Sequence, residues 1–219
     1  MRQQVYNESM YTPQIDNHEV GAPSSRSRAL EVLLFGEVLA DVYPDRRMPG
    51  GAPFNVGCHL AASGVPVALV SRLGFDSLGD FLQMALARSG IGPGFVQRDP
   101  EHASGHVDVI ATTQGHRFEI VPDQAFDFID GTILRDDLLR RQVQPRLIYF
   151  GTLAQRNSAS RMALDTLLAA CDATRFVDLN LRPPWISGDV VEKSLTAANI
   201  VKLSEEELRS IAPILELFS

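Results

Sequence analysis

VALVSRLGFDSLGDFLQMALARSG, residues 67–90, has the pattern that best indicates the fold class of this chain. Its first eight residues are rich in valine and leucine, which is typical of a buried strand. Asp76 or Ser77 can then cap a helix, and Gly90 provides the stop signal at its end. A strand followed directly by a capped helix predicts one βαβ unit of a parallel sheet.

The same alternation continues through most of the chain. Strand-like runs occur at 31–38, 146–151, 175–180 and 199–203, and helix-like segments separate the later ones. We therefore predict an α/β fold with a mainly parallel sheet flanked by helices. Residues 103–121 interrupt this alternation, because two β-rich runs there flank a short turn with no helix between them. That stretch predicts a small β-hairpin projecting from the main sheet.

Composition and charge restrict the classes of partner. The chain has 219 residues, a hydrophobic fraction of 45% and a formal net charge of −7. We expect neither nucleic acid nor a membrane as partner, because the negative charge disfavours general attraction to either polyanionic surface. Residues 1–29 lack an apolar run long enough for a signal peptide and predict a flexible tail on a cytoplasmic protein. Residues 30–219 then hold the α/β unit.

A glycine pair precedes a helix of mostly small residues in GGAPFNVGCHLAASG, residues 50–64. Gly50 and Gly51 allow a turn, or close approach of a ligand, that a Cβ would block, and Pro53 suits the first turn of a helix. Asn55 then offers an amide donor and a carbonyl acceptor to a hydroxylated ligand. A simpler interpretation stays open, in which the glycines only make a turn and the asparagine only ties down the loop.

Asp41 is a second candidate for binding a hydroxylated ligand. It follows FGEVLA near the end of the first predicted strand. Open α/β sheets bind ligands in the crevice beyond the carboxyl ends of their strands. A carboxylate at that place can accept hydrogen bonds from two hydroxyl groups.

Taken in order, these motifs resemble the N-terminal signature of the ribokinase-like, or PfkB, family of carbohydrate kinases. The ordered set consists of Gly36-Glu37, Asp41, Gly50-Gly51, Asn55 and RLGFDSLGD at 72–80. Two later segments are most similar to the fructokinase branch, namely VDLNLRPPW at 177–185 and VKLSEEEL at 201–208. The resemblance runs from about residue 31 to the end of the sequence.

The resemblance implies a fold and an activity. Kinases of this family bind a sugar between an α/β sheet and a small β lid, and they transfer the γ-phosphate of ATP to a sugar hydroxyl with the help of a divalent cation. Residues 103–121 are the expected lid, and lids of this kind often pair in homodimers. The expected partner is a small sugar, with fructose favoured, and the expected cofactors are ATP and Mg²⁺.

The family's binding residues carry over to matching positions. Asp41 and Asn55, with the Gly50-Gly51 backbone, are expected to bind sugar hydroxyls. Arg182 is expected near the transferred phosphate, because a guanidinium fork matches phosphate geometry. Alternatively, it is a salt-bridge residue at a strand end.

Glu207 is the expected magnesium residue, acting through the water shell of the ion. The acidic run 205–207 is also favourable in the first turn of a helix, which is the alternative interpretation. Ser204 stands where the family usually has asparagine. Its hydroxyl can still cap the helix, although the departure weakens the metal assignment.

One motif of the family is absent from the sequence. These kinases carry Gly-x-Gly-Asp in their C-terminal part, where the aspartate acts as base, and none of the 219 residues form such a segment. We therefore expect the front part of a fructokinase-like kinase, truncated before the nucleotide pocket and without a catalytic residue of its own. The alternative is a sugar-binding or regulatory remnant that does not phosphorylate its ligand.

Overall fold

The computed structural model describes residues 30–92, 94–112 and 115–215. The predicted flexible tail at 1–29 lies outside the described residues, as do Thr113 and Gln114 of the predicted hairpin turn. In chain order the elements are β1 (Val32–Phe35), β2 (Leu39–Val42), β3 (Arg47–Gly50), α1 (Ala52–Ala62), β4 (Val67–Gly74), α2 (Ser77–Ser89), β5 (Val96–Asp99), β6 (Gly105–Thr112), β7 (Gly115–Ile120), the 3₁₀ turn η1 (Ala125–Phe128), α3 (Gly131–Arg141), β8 (Leu147–Phe150), the 3₁₀ turn η2 (Leu153–Arg156), α4 (Ser158–Ala170), β9 (Thr174–Asp178), α5 (Gly188–Ala197), β10 (Ile200–Lys202) and α6 (Glu205–Leu215).

The strands form two sheets. The main sheet has six parallel strands in the order β10-β9-β8-β1-β4-β5, which confirms the predicted α/β fold. The second sheet has four strands in the order β3-β2-β6-β7, and in it only β2 and β6 run parallel. The β6–β7 hairpin lies within the predicted range 103–121, but β2 and β3 complete its sheet. The hairpin is therefore half of a larger sheet, not a projection on its own.

Helix α2 begins and ends as its local sequence predicts. Asp76 is the N-cap, and its Oδ1 accepts a hydrogen bond of 2.6 Å from the Gly79 N–H. Gly90 ends the helix in the left-handed conformation, with φ 77°. The Oδ2 atom of Asp76 also accepts the Ser104 N–H at 2.8 Å, directly before β6. The Asp76 carboxylate therefore joins the start of α2 to the start of β6 in the second sheet.

The core lies on both faces of the main sheet, as is usual for parallel strands. In β1, the fully buried Leu33 and Phe35 pack with α3, α4 and η1, whereas Leu34 faces α1 and α2. Helix α1 packs closely at Gly57, where an added Cβ would lie 2.8 Å from the Cδ1 atoms of Leu34 and Ile91. None of the helices within the described ranges has the length and apolar character needed to cross a bilayer.

The position of Asp41 corrects one prediction. The sequence places it near the end of the first strand of the main sheet, but β1 ends at Phe35 and Asp41 lies in β2 of the second sheet. The chain leaves the main sheet at Gly36, whose φ of 141° is accessible to glycine and rarely to other residues. Because two separate strands follow one another with a short break, their apolar residues look like one strand in the sequence.

Candidate ligand-binding cleft

A cleft of about 630 Å³ separates the second sheet from the carboxyl ends of β8 and β9 and the start of α1. Its volume lies within the usual range for small-molecule sites. One wall is apolar and belongs mainly to the second sheet and η2: Leu39, Val107, Phe118, Ile120 and Leu153. Asp41 adds a carboxylate from the same sheet, and the remaining polar lining residues come from outside it: Glu37, Asn55, Tyr149, Asp178, Asn180 and Arg182.

Asp41 presents its carboxylate to this cleft from β2. The side chain is partly buried, and burial raises the pKa of the carboxyl above its ordinary value. Gly50 of β3 pairs with Leu39, two residues before Asp41. An added Cβ on Gly50 would lie 3.3 Å from Asp41 Oδ2. Gly50 does not itself line the cleft, so its part is to leave room for the carboxylate. Asp41 has no ion pair within the described ranges, which leaves it available to a ligand.

Gly51 and Asn55 bring the start of α1 to the cleft. Gly51 is the N-cap of the helix with φ 105°, and its carbonyl oxygen accepts the Asn55 N–H at 2.9 Å. Pro53 occupies the first turn, as the sequence predicts. The Asn55 side chain is exposed on the cleft wall. Its amide can therefore both donate to and accept from a hydroxylated ligand.

Glu37 lies behind this turn, with only 3% of its surface exposed. Its Oε1 atom accepts the Ala52 N–H at 3.1 Å, so the carboxylate caps α1 from the loop after β1. Burial raises the pKa of Glu37 to about 7, although two backbone hydrogen bonds and the positive charges of Arg182 and Arg156 oppose the rise. The pKa of this side chain therefore lies near neutral pH and not in the ordinary carboxyl range.

Tyr149 and Asp178 form a hydrogen-bonded pair in the cleft. The Tyr149 hydroxyl donates to Asp178 Oδ2 at 3.2 Å, and Lys202 Nζ lies 2.9 Å from Oδ1 and 3.1 Å from Oδ2. Burial raises the pKa of Tyr149, and the charges of Asp178 and Glu37 together with this hydrogen bond raise it further. The tyrosine thus stays neutral, while the lysine compensates the aspartate charge.

Arg182 follows β9 and is exposed on the cleft wall. Within the described ranges no carboxylate lies within 4 Å of its guanidinium, so the alternative of a strand-end salt bridge is not observed. Arg182 and Glu37 line the same cleft, and the charge of the arginine lowers the pKa of Glu37. Asn180, with φ 41°, turns the chain between β9 and this arginine.

Glu207 lies beside the cleft and not among its lining residues. Its Oε1 accepts the Leu181 N–H at 2.6 Å, and its Oε2 accepts the Ser204 N–H at 2.7 Å. The Ser204 hydroxyl accepts the Glu207 N–H at 3.1 Å in return, which confirms the predicted cap of α6. Burial raises the pKa of Glu207, but these hydrogen bonds and the charge of Lys202 lower it more.

This geometry bears on the predicted magnesium role. Both Glu207 oxygens already accept backbone N–H groups, so contact with an ion through water is the arrangement that remains compatible. Across the described ranges no group of three or more His, Cys, Asp or Glu side chains is arranged to hold a metal ion. The role of Glu207 in binding Mg²⁺ stays a prediction.

The sequence reasoning assigned no role to Glu37, Tyr149, Asp178 or Asn180. Glu37, Asp178 and Asn180 lie within the motifs that carry the family resemblance. Tyr149 lies within an apolar run that predicts only a buried strand. No local signal distinguishes it, because its partner is 29 residues away.

The sequence matches a known family over most of its length. The family is described as pfkB family carbohydrate kinase, and residues 29–216 match it. This chain belongs to the pfkB family.

Among curated pfkB relatives, the fructokinase of Vibrio alginolyticus is 30% identical over 197 residues, which cover 81% of this chain and 61% of that protein. The fructokinase of Escherichia coli is 28% identical over 195 residues, which cover 83% of this chain and 62% of that protein. The chain thus spans about three fifths of the length of these two relatives.

Solved structures of pfkB kinases share the fold. Fructokinase from Xylella fastidiosa with bound ATP has a TM-score of 0.74 and 25% identity, covering 85% of this chain and 62% of that chain. Apo fructokinase from Vibrio cholerae O395 has a TM-score of 0.70 and 25% identity, covering 86% of this chain and 70% of that chain. The fold is therefore ribokinase-like, and the relatives support the fructokinase-like branch.

Proposed function

We propose that this chain binds a sugar, with fructose favoured, as part of an ATP-dependent fructokinase-like kinase. The observation that carries the proposal is the cleft between the two sheets, into which Asp41, Asn55 and Arg182 project from three separate segments. A carboxylate and an amide recognise hydroxyl groups, and a guanidinium recognises phosphate. Fructokinases among the relatives support the choice of sugar.

The walls of the cleft suggest a division of tasks. Asp41 and Asn55 hold hydroxyl groups of the sugar, and the Gly51 backbone allows the ring to approach. Phe118 and Ile120 cover the ring from the second sheet, which acts as the lid and excludes water from the reacting groups. Exclusion of water strengthens each of these polar contacts.

Arg182 is the residue that would hold a phosphate at the edge of this cleft. ATP would supply the phosphoryl group, and Mg²⁺ would neutralise its charge. The ATP-bound relative from Xylella fastidiosa supports the choice of nucleotide. Glu207 would act on the ion through water and at the same time hold the Leu181 N–H next to Arg182.

A non-catalytic sugar-binding or regulatory protein is the second candidate. What supports it is that Asp41 and Asn55, the side chains proposed to bind the sugar, both line the cleft within this chain. Both candidates use the same sugar contacts. They differ in whether the chain transfers phosphate to fructose from ATP and Mg²⁺.

Fructose binding tests the proposal directly. Trp185 is the single tryptophan and lies three residues from Arg182, so its fluorescence and titration calorimetry provide two readouts. We expect Asp41→Asn and Asn55→Ala each to weaken fructose binding about tenfold or more, because each removes hydrogen bonds to the ligand. Asp108→Asn is the matched control, since Asp108 lies on the opposite face of the second sheet.

Each outcome has a meaning. Weaker fructose binding by Asp41→Asn and Asn55→Ala, with Asp108→Asn unchanged, supports the sugar site. Equal fructose affinities of the three variants oppose it. Addition of ATP and Mg²⁺ then tests the kinase, because formation of a sugar phosphate supports it over the non-catalytic candidate. Pairing of two copies through the second sheet is a further expectation, which sedimentation velocity tests.

A further inference from the structure

Helix α1 begins without a capping side chain of its own. Its N-cap is Gly51, and no side chain of the flanking residues accepts a hydrogen bond from the first turn. The acceptor is Glu37, which stands 15 residues earlier in the chain and takes the Ala52 N–H. A carboxylate at this end of a helix also interacts favourably with the helix dipole.

The loop after β1 and the start of α1 interlock at two glycines. An added Cβ at Gly51 would lie 2.6 Å from the Glu37 carbonyl oxygen and 3.2 Å from Glu37 Cγ. An added Cβ at Gly36 would lie 2.8 Å from Pro53 Cγ. The Gly51 carbonyl in turn accepts the Asn55 N–H. Glu37 is therefore in close contact with the Gly51 turn, whose carbonyl holds the backbone of Asn55.

Charged and polar groups from several elements face Glu37. Arg182 from the segment after β9 and Arg156 from η2 favour its ionised form, while burial favours the neutral one. The Glu37 charge acts on Tyr149 of β8, which is hydrogen-bonded to Asp178 of β9. Helix α1 contributes the Ala52 N–H. The balance between these opposing effects leaves both charge states accessible near neutral pH.

We propose that Glu37 is a positioning residue, whose ionised carboxylate holds the Gly51 backbone and the Asn55 side chain in the arrangement that binds the ligand. A carboxylate accepts the Ala52 N–H more strongly than a carboxylic acid does, and only the ionised form interacts with the helix dipole. Protonation loosens the turn and weakens binding. The ligand in this inference rests on the proposed function, whereas the linkage between Glu37 and the turn does not.

Two readouts on wild type and Glu37→Gln test the inference. The amide resonances of Ala52 and Asn55 are followed by ¹H–¹⁵N NMR between about pH 5.5 and about pH 8.5. Fructose affinity is measured by calorimetry over the same range. The glutamine keeps an acceptor for the Ala52 N–H and cannot ionise. Glu31→Gln, at the opposite end of β1, is the matched control.

In wild type and the control we expect both amides to titrate with one midpoint near neutral pH. Fructose affinity should fall about tenfold from about pH 8 to about pH 6, because the binding-competent fraction falls by that factor. In Glu37→Gln both profiles should be flat.

Amides that do not titrate in wild type, or that titrate equally in Glu37→Gln, overturn the role of Glu37. Fructose affinity with the same pH dependence in both proteins also overturns it. If fructose binds none of the proteins, the proposed function fails, and the amide titration alone still decides whether Glu37 positions the turn.

Discussion

The Arg156 guanidinium holds the Asp127 carboxylate with two hydrogen bonds, of 2.7 Å from Nε to Oδ1 and 2.6 Å from Nη2 to Oδ2. Only 6% of the arginine side chain and 1% of the aspartate side chain are exposed. Nη2 also donates to the Val121 carbonyl, and the guanidinium lies over the Trp185 ring at 4.5 Å. This ion pair therefore joins both 3₁₀ turns to the end of the second sheet and to the segment that carries Arg182.

Arg156→Met should lower the free energy of unfolding by about 3 to about 5 kcal/mol, because it leaves a buried carboxylate without its partner. Urea denaturation measures the change. The double variant with Asp127→Asn should recover part of the loss. Arg135→Met is the control, since the Arg135–Asp136 pair is exposed and should matter by less than about 1 kcal/mol. Equal losses in both single variants would contradict the structural importance of the buried pair.

Gly51→Ala should destabilise the chain by about 3 kcal/mol or more. The residue has φ 105°, and the new Cβ would lie 2.6 Å from a backbone oxygen that cannot move freely. Gly64→Ala is the matched control, because Gly64 has φ 77° but open space around it, and its cost should be about 1 kcal/mol. Thermal denaturation of both variants makes the comparison. Similar losses would show that the Glu37 loop yields to the added methyl group.

Glu37→Gln should change how stability depends on pH. The folded pKa of about 7 lies above the ordinary value of 4.5, so the folded chain binds the proton more tightly than the unfolded chain. Between these values the free energy of unfolding falls as pH rises, by about 3 kcal/mol in total, and above about pH 7 this contribution stays constant.

The variant should lack this slope and be more stable than wild type at about pH 8. Chemical denaturation of both proteins across the range isolates the contribution of Glu37. A variant less stable than wild type at that pH would argue that the ionised carboxylate stabilises the fold. With the expected result, ionised Glu37 lowers the stability of the fold, as residues that serve binding often do.

Asp76→Ala should lower the free energy of unfolding by about 2 kcal/mol or more, because it removes the cap of α2 and leaves the Ser104 N–H without its acceptor. Hydrogen bonds lower the pKa of Asp76 despite its burial, so its contribution is present above the ordinary carboxyl pKa and is lost as pH falls through the lowered value. Denaturation at neutral and acidic pH measures both effects. A loss that persists unchanged in acid would contradict this account.

Local signals in the sequence were sufficient to predict where helix α2 begins and ends. The cap at Asp76 and the stop at Gly90 depend on neighbours within the same segment. The same signals predicted the alternation of strands and helices in the main sheet, whereas β2, β3 and β5 were not predicted as separate strands. The family motifs also identified Asp41, Asn55 and Arg182, which the structure brings to one cleft.

Contacts between distant segments determine which groups share that cleft and in which direction burial and neighbouring charges shift their pKa values. Glu37 meets Ala52 across 15 residues, and Tyr149 meets Asp178 across 29. Asp41 belongs to the second sheet because β2 pairs with β6, far along the chain. Capping depends on residues a few positions apart, which a sequence displays directly. Burial and ionisation depend on segments that only the folded chain brings together, and therefore the sequence could not show that Glu37 is buried or that it holds the start of α1.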